Sequence, residues 1–242
     1  MGEIGHDLFD YESMYESQAE RDWRELCARD KVRNQLSIFA QLPPKGNLRI
    51  LEVGCGDGAI AKELSRNNVF SEYMGLEISS SGIEAARNLN IPEAEFICMS
   101  SDDILKYDNA STVTLLCHVV EHLDHPRSLL LKAKDWSEFL LVEVPLEDNI
   151  KMGQNYDWNP VGHINKFKMS TVRILLQTCG WEIVSTKIYN PSRQARTFFA
   201  KNLTSNLAWI VKEIAIRLNK SVASKFFTYH YVILAQNRKL DH

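Results

Sequence analysis

Nine consecutive residues constrain this chain more than any others: Ile50-Leu51-Glu52-Val53-Gly54-Cys55-Gly56-Asp57-Gly58. An apolar run from Leu48 to Val53 stops at three alternate glycines. Beyond Gly58 the spacing turns helical, with Ile60, Ala61 and Leu64 on one face. The pattern predicts a strand, a tight turn and a helix. Glycines in such a turn adopt dihedrals closed to other residues and let the backbone approach a ligand at the N-terminus of the next helix.

The spacing alone leaves the ligand open. Gly54, Gly56 and Ala59 satisfy the dinucleotide fingerprint G-x-G-x-x-G/A, and an acid, Glu77, follows about 20 residues on. Charge separates the alternatives, because Asp57 in the turn and Glu52 just before it would repel a diphosphate but suit a ligand carrying an ammonium and a sulfonium. At these residues the chain resembles the class I S-adenosylmethionine-dependent methyltransferases, whose first motif reads much like Leu51 to Gly58. The resemblance implies S-adenosyl-L-methionine as cofactor, with Glu52, Gly54, Cys55, Gly56, Asp57 and Gly58 around it. It also implies a doubly wound α/β fold with a mostly parallel seven-stranded sheet and an antiparallel last strand. It runs from about Asn47 to Gly180.

The strands expected after the turn carry further candidates. Glu72 to Ile78 reads as a second strand with Glu77 at its C-terminal end, where two carboxylate oxygens can accept both ribose hydroxyls, and Ile78 lies beside it. Ser79-Ser80-Ser81 reads as the cap of the following helix. A third strand, Ala94 to Met99, runs into Ser100-Ser101-Asp102, where the resemblance implies adenine contacts. The usual acid falls on a serine here, so Asp102 is the expected side-chain acceptor and the Ser101 amide the expected donor. The fourth strand, Ser111 to Cys117, ends in His118-Val119-Val120-Glu121-His122-Leu123, similar to the family's signature at this position. By that resemblance His118 and Val119 line the methionine end of the cofactor.

His118, Glu121 and His122 share one short turn, and His163 recurs in the segment Val161 to Phe167. The set resembles the divalent-metal ligands of small-RNA 2′-O-methyltransferases and of some ubiquinone-pathway O-methyltransferases, with a histidine replacing the first acid. Imidazole and carboxylate together suit a transition metal better than magnesium. The other reading of the same residues is acid–base chemistry, with His163 the first candidate for a general base and His118 the second. A fifth strand, Phe139 to Pro145, precedes the long segment Leu146 to Lys168. Its Asn155, Tyr156, Asp157 and Trp158 suggest an acceptor-binding loop.

The ends of the chain frame this core. Residues 1–46 read as a helical extension, with Tyr11 and Tyr15 placed to form a lid, and residues 47–242 as the catalytic domain. Ser170-Thr171 is expected to cap a helix that Gly180 ends, before strands Trp181 to Tyr189 and Thr228 to Ala235. Between those strands lies an insertion, 190–227, with an amphipathic helix whose Leu203, Leu207, Ile210, Val211, Ile214 and Leu218 share a face. That face is expected to pack on the core, the alternatives being a membrane surface or a second copy.

Composition excludes little, but what it excludes is useful. A formal net charge of -3 gives no global nucleic-acid footprint, and five scattered cysteines suggest neither a disulfide framework nor a zinc knuckle. No run reaches the length of a membrane span, and neither that nor the first residues suggest export, so a cytoplasmic location is expected. The expected reaction is methyl transfer to an oxygen, nitrogen or carbon of a small-molecule, sugar or lipid-like acceptor, with RNA 3′-end 2′-O-methylation as an alternative. The rival readings of the fold are a nicotinamide-dependent oxidoreductase and a non-catalytic subunit that binds S-adenosylmethionine.

Overall fold

A computed structural model describes residues 15, 17–150, 162–199 and 203–238. Among the described residues seven strands form one sheet, in the order β3-β2-β1-β4-β5-β7-β6. The strands are β1 (Leu48–Val53), β2 (Phe70–Glu77), β3 (Ala94–Cys98), β4 (Ser111–Cys117), β5 (Ser137–Pro145), β6 (Trp181–Tyr189) and β7 (His230–Asn237). β1 to β5 pair in parallel, whereas β7 lies antiparallel between β5 and β6. The strand order reverses between β1 and β4, where an open α/β sheet binds its ligand.

The alternation of side chains along β1 shows how the sheet acquires two covered faces. Leu51 and Val53 enter one buried cluster with Leu130, Val172 and Leu176, from α5 (Pro126–Trp136) and α6 (Met169–Thr178). Leu48 and Ile50 enter the other, with Val32, Leu64 and Ile83 from α1 (Gln18–Leu36), α2 (Ala59–Arg66) and α3 (Ser80–Arg87). A four-residue α4 (Ser101–Ile104) follows β3. The insertion holds α7 (Arg193–Arg196), α8 (Leu203–Leu218) and α9 (Lys220–Phe226).

Several boundaries and one orientation depart from the sequence expectations, β2 and β5 among them, since β2 spans Phe70–Glu77 and β5 begins at Ser137. α6 starts at Met169 with Lys168 at its cap, two residues before the expected Ser170, because the Thr171 hydroxyl accepts the Lys168 amide. β7 is shifted toward the C-terminus by two residues, since the Thr228 carbonyl accepts the Lys212 ammonium and the Tyr229 carbonyl accepts the Leu146 amide. α4 is capped by Ser100, whose hydroxyl oxygen accepts the Asp103 amide. The larger correction concerns α8: the face expected to pack on the core points outward, and the side turned inward carries Lys212 and Ile216. The expected acceptor residues Asn155, Tyr156, Asp157 and Trp158, and the lid residue Tyr11, lie outside the described residues.

Candidate active site

The turn after β1 is built from backbone. Gly54, Gly56 and Gly58 have φ of 75°, 54° and 75°, the left-handed region that glycine enters without a Cβ penalty. The Gly54 and Cys55 amides both donate to the Leu76 carbonyl, at 2.8 and 3.1 Å, which ties the turn to β2. Space is as restrictive as dihedral angle, because a Cβ on Gly54 would stand 2.5 Å from Val119 Cγ2. Val119 therefore adjoins the turn.

Glu77 is buried at the end of β2 and organises the same corner. Its Oε2 accepts the Gly56 amide at 3.0 Å, and its Oε1 accepts the amides of Ile78 and Ser79 at 2.8 and 3.1 Å. Three backbone donors thus fix the carboxylate that the sequence offers to a ribose. Ser101 and Asp102 sit in the first turn of α4, with Asp102 exposed. The two acids used to argue for a cationic ligand occupy different environments. Asp57 is ion-paired with Arg24 of α1, whose Nε lies 2.7 Å from its Oδ2. Glu52 is fully buried on the sheet face covered by α1, where it accepts the Tyr73 hydroxyl. Burial pushes its carboxyl up to about 7 against the opposing pull of Tyr73 and Lys31. Asp57 thus stands in the turn beside Arg24, and Glu52 lies below it on the sheet.

Tyr15 covers the turn. Cβ atoms on Gly56 and Gly82 would each stand 3.0 Å from Tyr15, and the Arg24 guanidinium lies 4.9 Å from the ring centre. Burial, reinforced by the charges of Glu77 and Asp57, holds the Tyr15 hydroxyl far above its usual range. The glycine cradle, the fixed acid at the end of β2 and this aromatic cover fit a nucleoside with a charged tail.

A second cluster lies at the C-terminal ends of β4 and β5, beside Val119. His118 has a φ of 62°, a strained conformation for a histidine, and is held there by its amide donating to the Glu143 carbonyl at 2.9 Å. Its Nδ1 lies 2.9 Å from Glu121 Oε1, and its Nε2 is 3.2 Å from His230 Nδ1. Glu143 Oε1 accepts the Tyr189 hydroxyl at 2.6 Å and lies 3.1 Å from His230 Nδ1. Two rings this close do not both carry a charge, and their surroundings divide the proton. Burial opposes charge on His118, but Glu121 and Glu143 outweigh it and raise its pKa. Burial and the neighbouring His118 bring His230 down to about 4, although Glu143 opposes them.

The third group joins the 3₁₀ turn 120–122 to the segment that follows residue 161. The amides of Ile164 and Asn165 both donate to the Glu121 carbonyl at 2.9 Å, and Asn165 Nδ2 donates to the Leu123 carbonyl at 2.6 Å. These bonds set His163 against His122, ring centres 4.7 Å apart and edge to face. His163 Nδ1 is 2.7 Å from Glu147 Oε2, and His122 Nδ1 is 3.2 Å from the Gly162 carbonyl. Ligand atoms of Glu121, His122 and His163 fall within 4.8 Å of one another, as do those of His118, Glu143 and His230. The expected metal residues therefore fall in two groups, His118 with Glu143 and His230 and the other three together, joined by the contact of His118 with Glu121.

The residues the sequence reading missed are Glu143, Glu147, Tyr189 and His230. A signal existed for two of them, since Glu143 interrupts the apolar run of β5 and His230 interrupts that of β7. What placed them was pairing: His230 sits opposite Pro145 on one side and Tyr189 on the other.

A doubly wound sheet with a glycine turn, an amide-fixed acid after β2 and a polar cluster after β4 defines the class I S-adenosylmethionine-dependent methyltransferase type. A family model described as "Methyltransferase domain" matches residues 15–186, and the chain belongs to that family. Among solved structures, an S-adenosylmethionine-dependent methyltransferase from Archaeoglobus fulgidus superposes with a TM-score of 0.60 at 19% identity, covering 90% of this chain and 97% of that one. The [4+2]-cyclase SpnF superposes equally well, with a TM-score of 0.61 at 16% identity over 86% and 81% of the two chains. At such identities the likeness is one of fold, which does not select the chemistry. A curated relative, the mitochondrial ubiquinone biosynthesis O-methyltransferase of Candida albicans, is 27% identical over 92 residues, 36% of this chain. The match spans only 28% of that relative's length.

Proposed function

We propose that this chain transfers a methyl group from S-adenosyl-L-methionine to a hydroxyl oxygen of a small acceptor, with His163 as general base. The observation that carries the reading is the His163 to Glu147 contact, 2.7 Å at Nδ1. A carboxylate there keeps the proton on Nδ1, makes Nε2 the basic nitrogen and holds the ring in place. A neutral hydroxyl needs such a base, whereas an amine does not. The bound cofactor supplies an activated methyl group. The contribution of this chain is to hold donor and acceptor in line and to receive the proton at His163 Nε2. His118, whose pKa Glu121 and Glu143 raise, serves as an orienting donor at the methionine end. Methyl transfer to oxygen is also what the name of the Candida albicans relative states for that protein.

A second reading has a specific observation behind it. Glu121 is fully buried; its Oε1 lies 2.9 Å from His118 Nδ1, and its Oε2 has no hydrogen-bond partner among the described residues. A buried acid of this kind suits a cation, and oxygen acceptors on the Nδ1 atoms of His122 and His163 are the outer contacts metal-bound histidines make. Glu121, His122 and His163 would hold the ion and lower the pKa of the acceptor hydroxyl.

One experiment separates the readings. With methyl-labelled S-adenosylmethionine and a panel of phenol, sugar and polyprenylated hydroxyl acceptors, His163→Ala should lower turnover by about a hundredfold or more. Affinity for S-adenosylhomocysteine should stay nearly unchanged. A chelator leaves the wild-type rate intact under the base reading and abolishes it under the metal reading, with recovery on adding zinc or manganese. A wild-type rate in His163→Ala removes both.

A further inference from the structure

α8 is turned inside out relative to its hydropathy. Leu203, Leu207, Ile214 and Leu218 are 84, 60, 53 and 81% exposed, with Ile210 beside them, while the buried side carries Lys212 and Ile216. Polar bonds fix this orientation. The Lys212 ammonium donates to the Thr228 carbonyl at 2.6 Å and lies 5.1 Å from the Tyr229 ring centre, and Tyr229 donates back to the Lys212 carbonyl at 2.8 Å. Trp209 donates to the Pro191 carbonyl at 2.8 Å. The stripe continues onto α9 through Val222 and Phe226, 48 and 45% exposed. A contiguous apolar surface of this kind marks an interaction site.

Charge selects the occupant. Residues 190–227 hold seven Lys or Arg against one acid, Glu213, a net of +6 within a chain of net -3. Arg193, Arg196, Arg217, Lys220 and Lys225 are exposed around the stripe. A second copy would meet this face with the same face, as two-fold symmetry requires, and bring like charges together. An apolar stripe with basic flanks is the pattern of a helix that lies in an anionic lipid interface. At 16 residues α8 is too short to cross a bilayer, and among the described residues no helix is long and apolar enough to cross.

Topology gives the surface its place. β6 ends at Tyr189 and β7 begins at His230, residues paired with each other at the sheet edge that also holds Pro145 and Glu143. The insertion therefore leaves and re-enters the fold on the rim of the acceptor cluster. We propose that the outward face of α8 and α9 docks on an anionic lipid bilayer and holds the acceptor side of the site against the membrane.

Vesicle sedimentation of the full-length protein tests this. The protein should pellet with vesicles of phosphatidylcholine and phosphatidylglycerol, much less with phosphatidylcholine alone, and less again as salt is raised. Ile210→Glu combined with Ile214→Glu should lower partitioning by about tenfold or more. Arg217→Glu with Lys220→Glu and Lys225→Glu should remove the preference for phosphatidylglycerol. Leu131→Glu, at an exposed leucine of α5, should change neither. A melting shift with S-adenosylhomocysteine reports the cofactor site separately, so failure here leaves the methyltransferase reading standing. The proposal is overturned by equal binding to neutral vesicles or by no binding. It is also overturned if Ile210→Glu turns a dimer into a monomer in light scattering, or lowers the melting temperature because the chain itself covers the face.

Discussion

The two halves of the site are made of different material. The donor half is mostly backbone from one short stretch, Gly54 to Gly58, fastened by the Leu76 carbonyl and the Glu77 carboxylate one strand away. The proposed acceptor half is side chains drawn from β4, the 3₁₀ turn, β5, the segment after residue 161, β6 and β7, joined by contacts such as Glu143 with Tyr189 and His230. A backbone site tolerates almost no change at its glycines but keeps its shape whatever the acceptor is. A side-chain site can be retuned residue by residue, which is how one fold serves many acceptors.

The sharpest way to break this contrast is Gly54→Ala. The new methyl group would stand 2.5 Å from Val119 Cγ2 at a residue with φ of 75°. Overpacking and left-handed strain together predict a loss of about 3 to 5 kcal/mol in stability or cofactor binding. Adding Val119→Ala should return the packing part and leave about 1 to 2 kcal/mol from the dihedral angle. Calorimetric titration with S-adenosylhomocysteine and thermal melting read both. An affinity within twofold of wild type would show that the turn does not touch the cofactor.

The same contrast explains what the sequence made legible. Strand, turn and helix at residues 48–66 are adjacent in the chain, so periodicity and three glycines specified them, and β4 and β6 were located to the residue. Glu121, His122 and His163 were recognised from residue type, but the turn of the His118 ring toward Glu143 and His230 was not, since it depends on the left-handed backbone at His118. Glu143 and His230 become neighbours only because β7 inserts antiparallel between β5 and β6. No local pattern encodes that pairing. α8 failed for another reason: amphipathicity shows that a helix has two faces, not which of them the core receives. There the inward face was chosen by the Lys212 and Tyr229 bonds.

Glu52 tests whether the donor half is a scaffold below its surface as well. Its carboxyl is raised to about 7, above the ordinary carboxylate value, so the folded state holds a proton that the unfolded state releases. The unfolded chain then binds fewer protons, and stability falls as pH rises from about 4.5 to about 7. Glu52→Gln should remove that slope and stabilise the protein above pH 7 by on the order of 3 kcal/mol. Melting curves across this range measure it. Cofactor affinity should stay put; a matching loss of affinity would place the Glu52 charge in the ligand's field and bring it into the binding site.

The smallest expected effect concerns the cover over the turn. Arg24 both pairs with Asp57 at 2.7 Å and lies over the Tyr15 ring at 4.9 Å, so its charge and its planar stacking act on different partners. Arg24→Lys keeps the charge beside Asp57 and gives up the guanidinium plane. If Tyr15 is held as a lid by that stacking, the substitution costs about 0.5 to 1 kcal/mol, a roughly twofold to fivefold weaker binding of S-adenosylhomocysteine. The loss should appear in the dissociation rate, because a loosened cover lets ligand escape faster without changing the cradle beneath. An unchanged dissociation rate would leave Tyr15 as packing for Gly56 and Gly82 and make the donor half a matter of backbone alone.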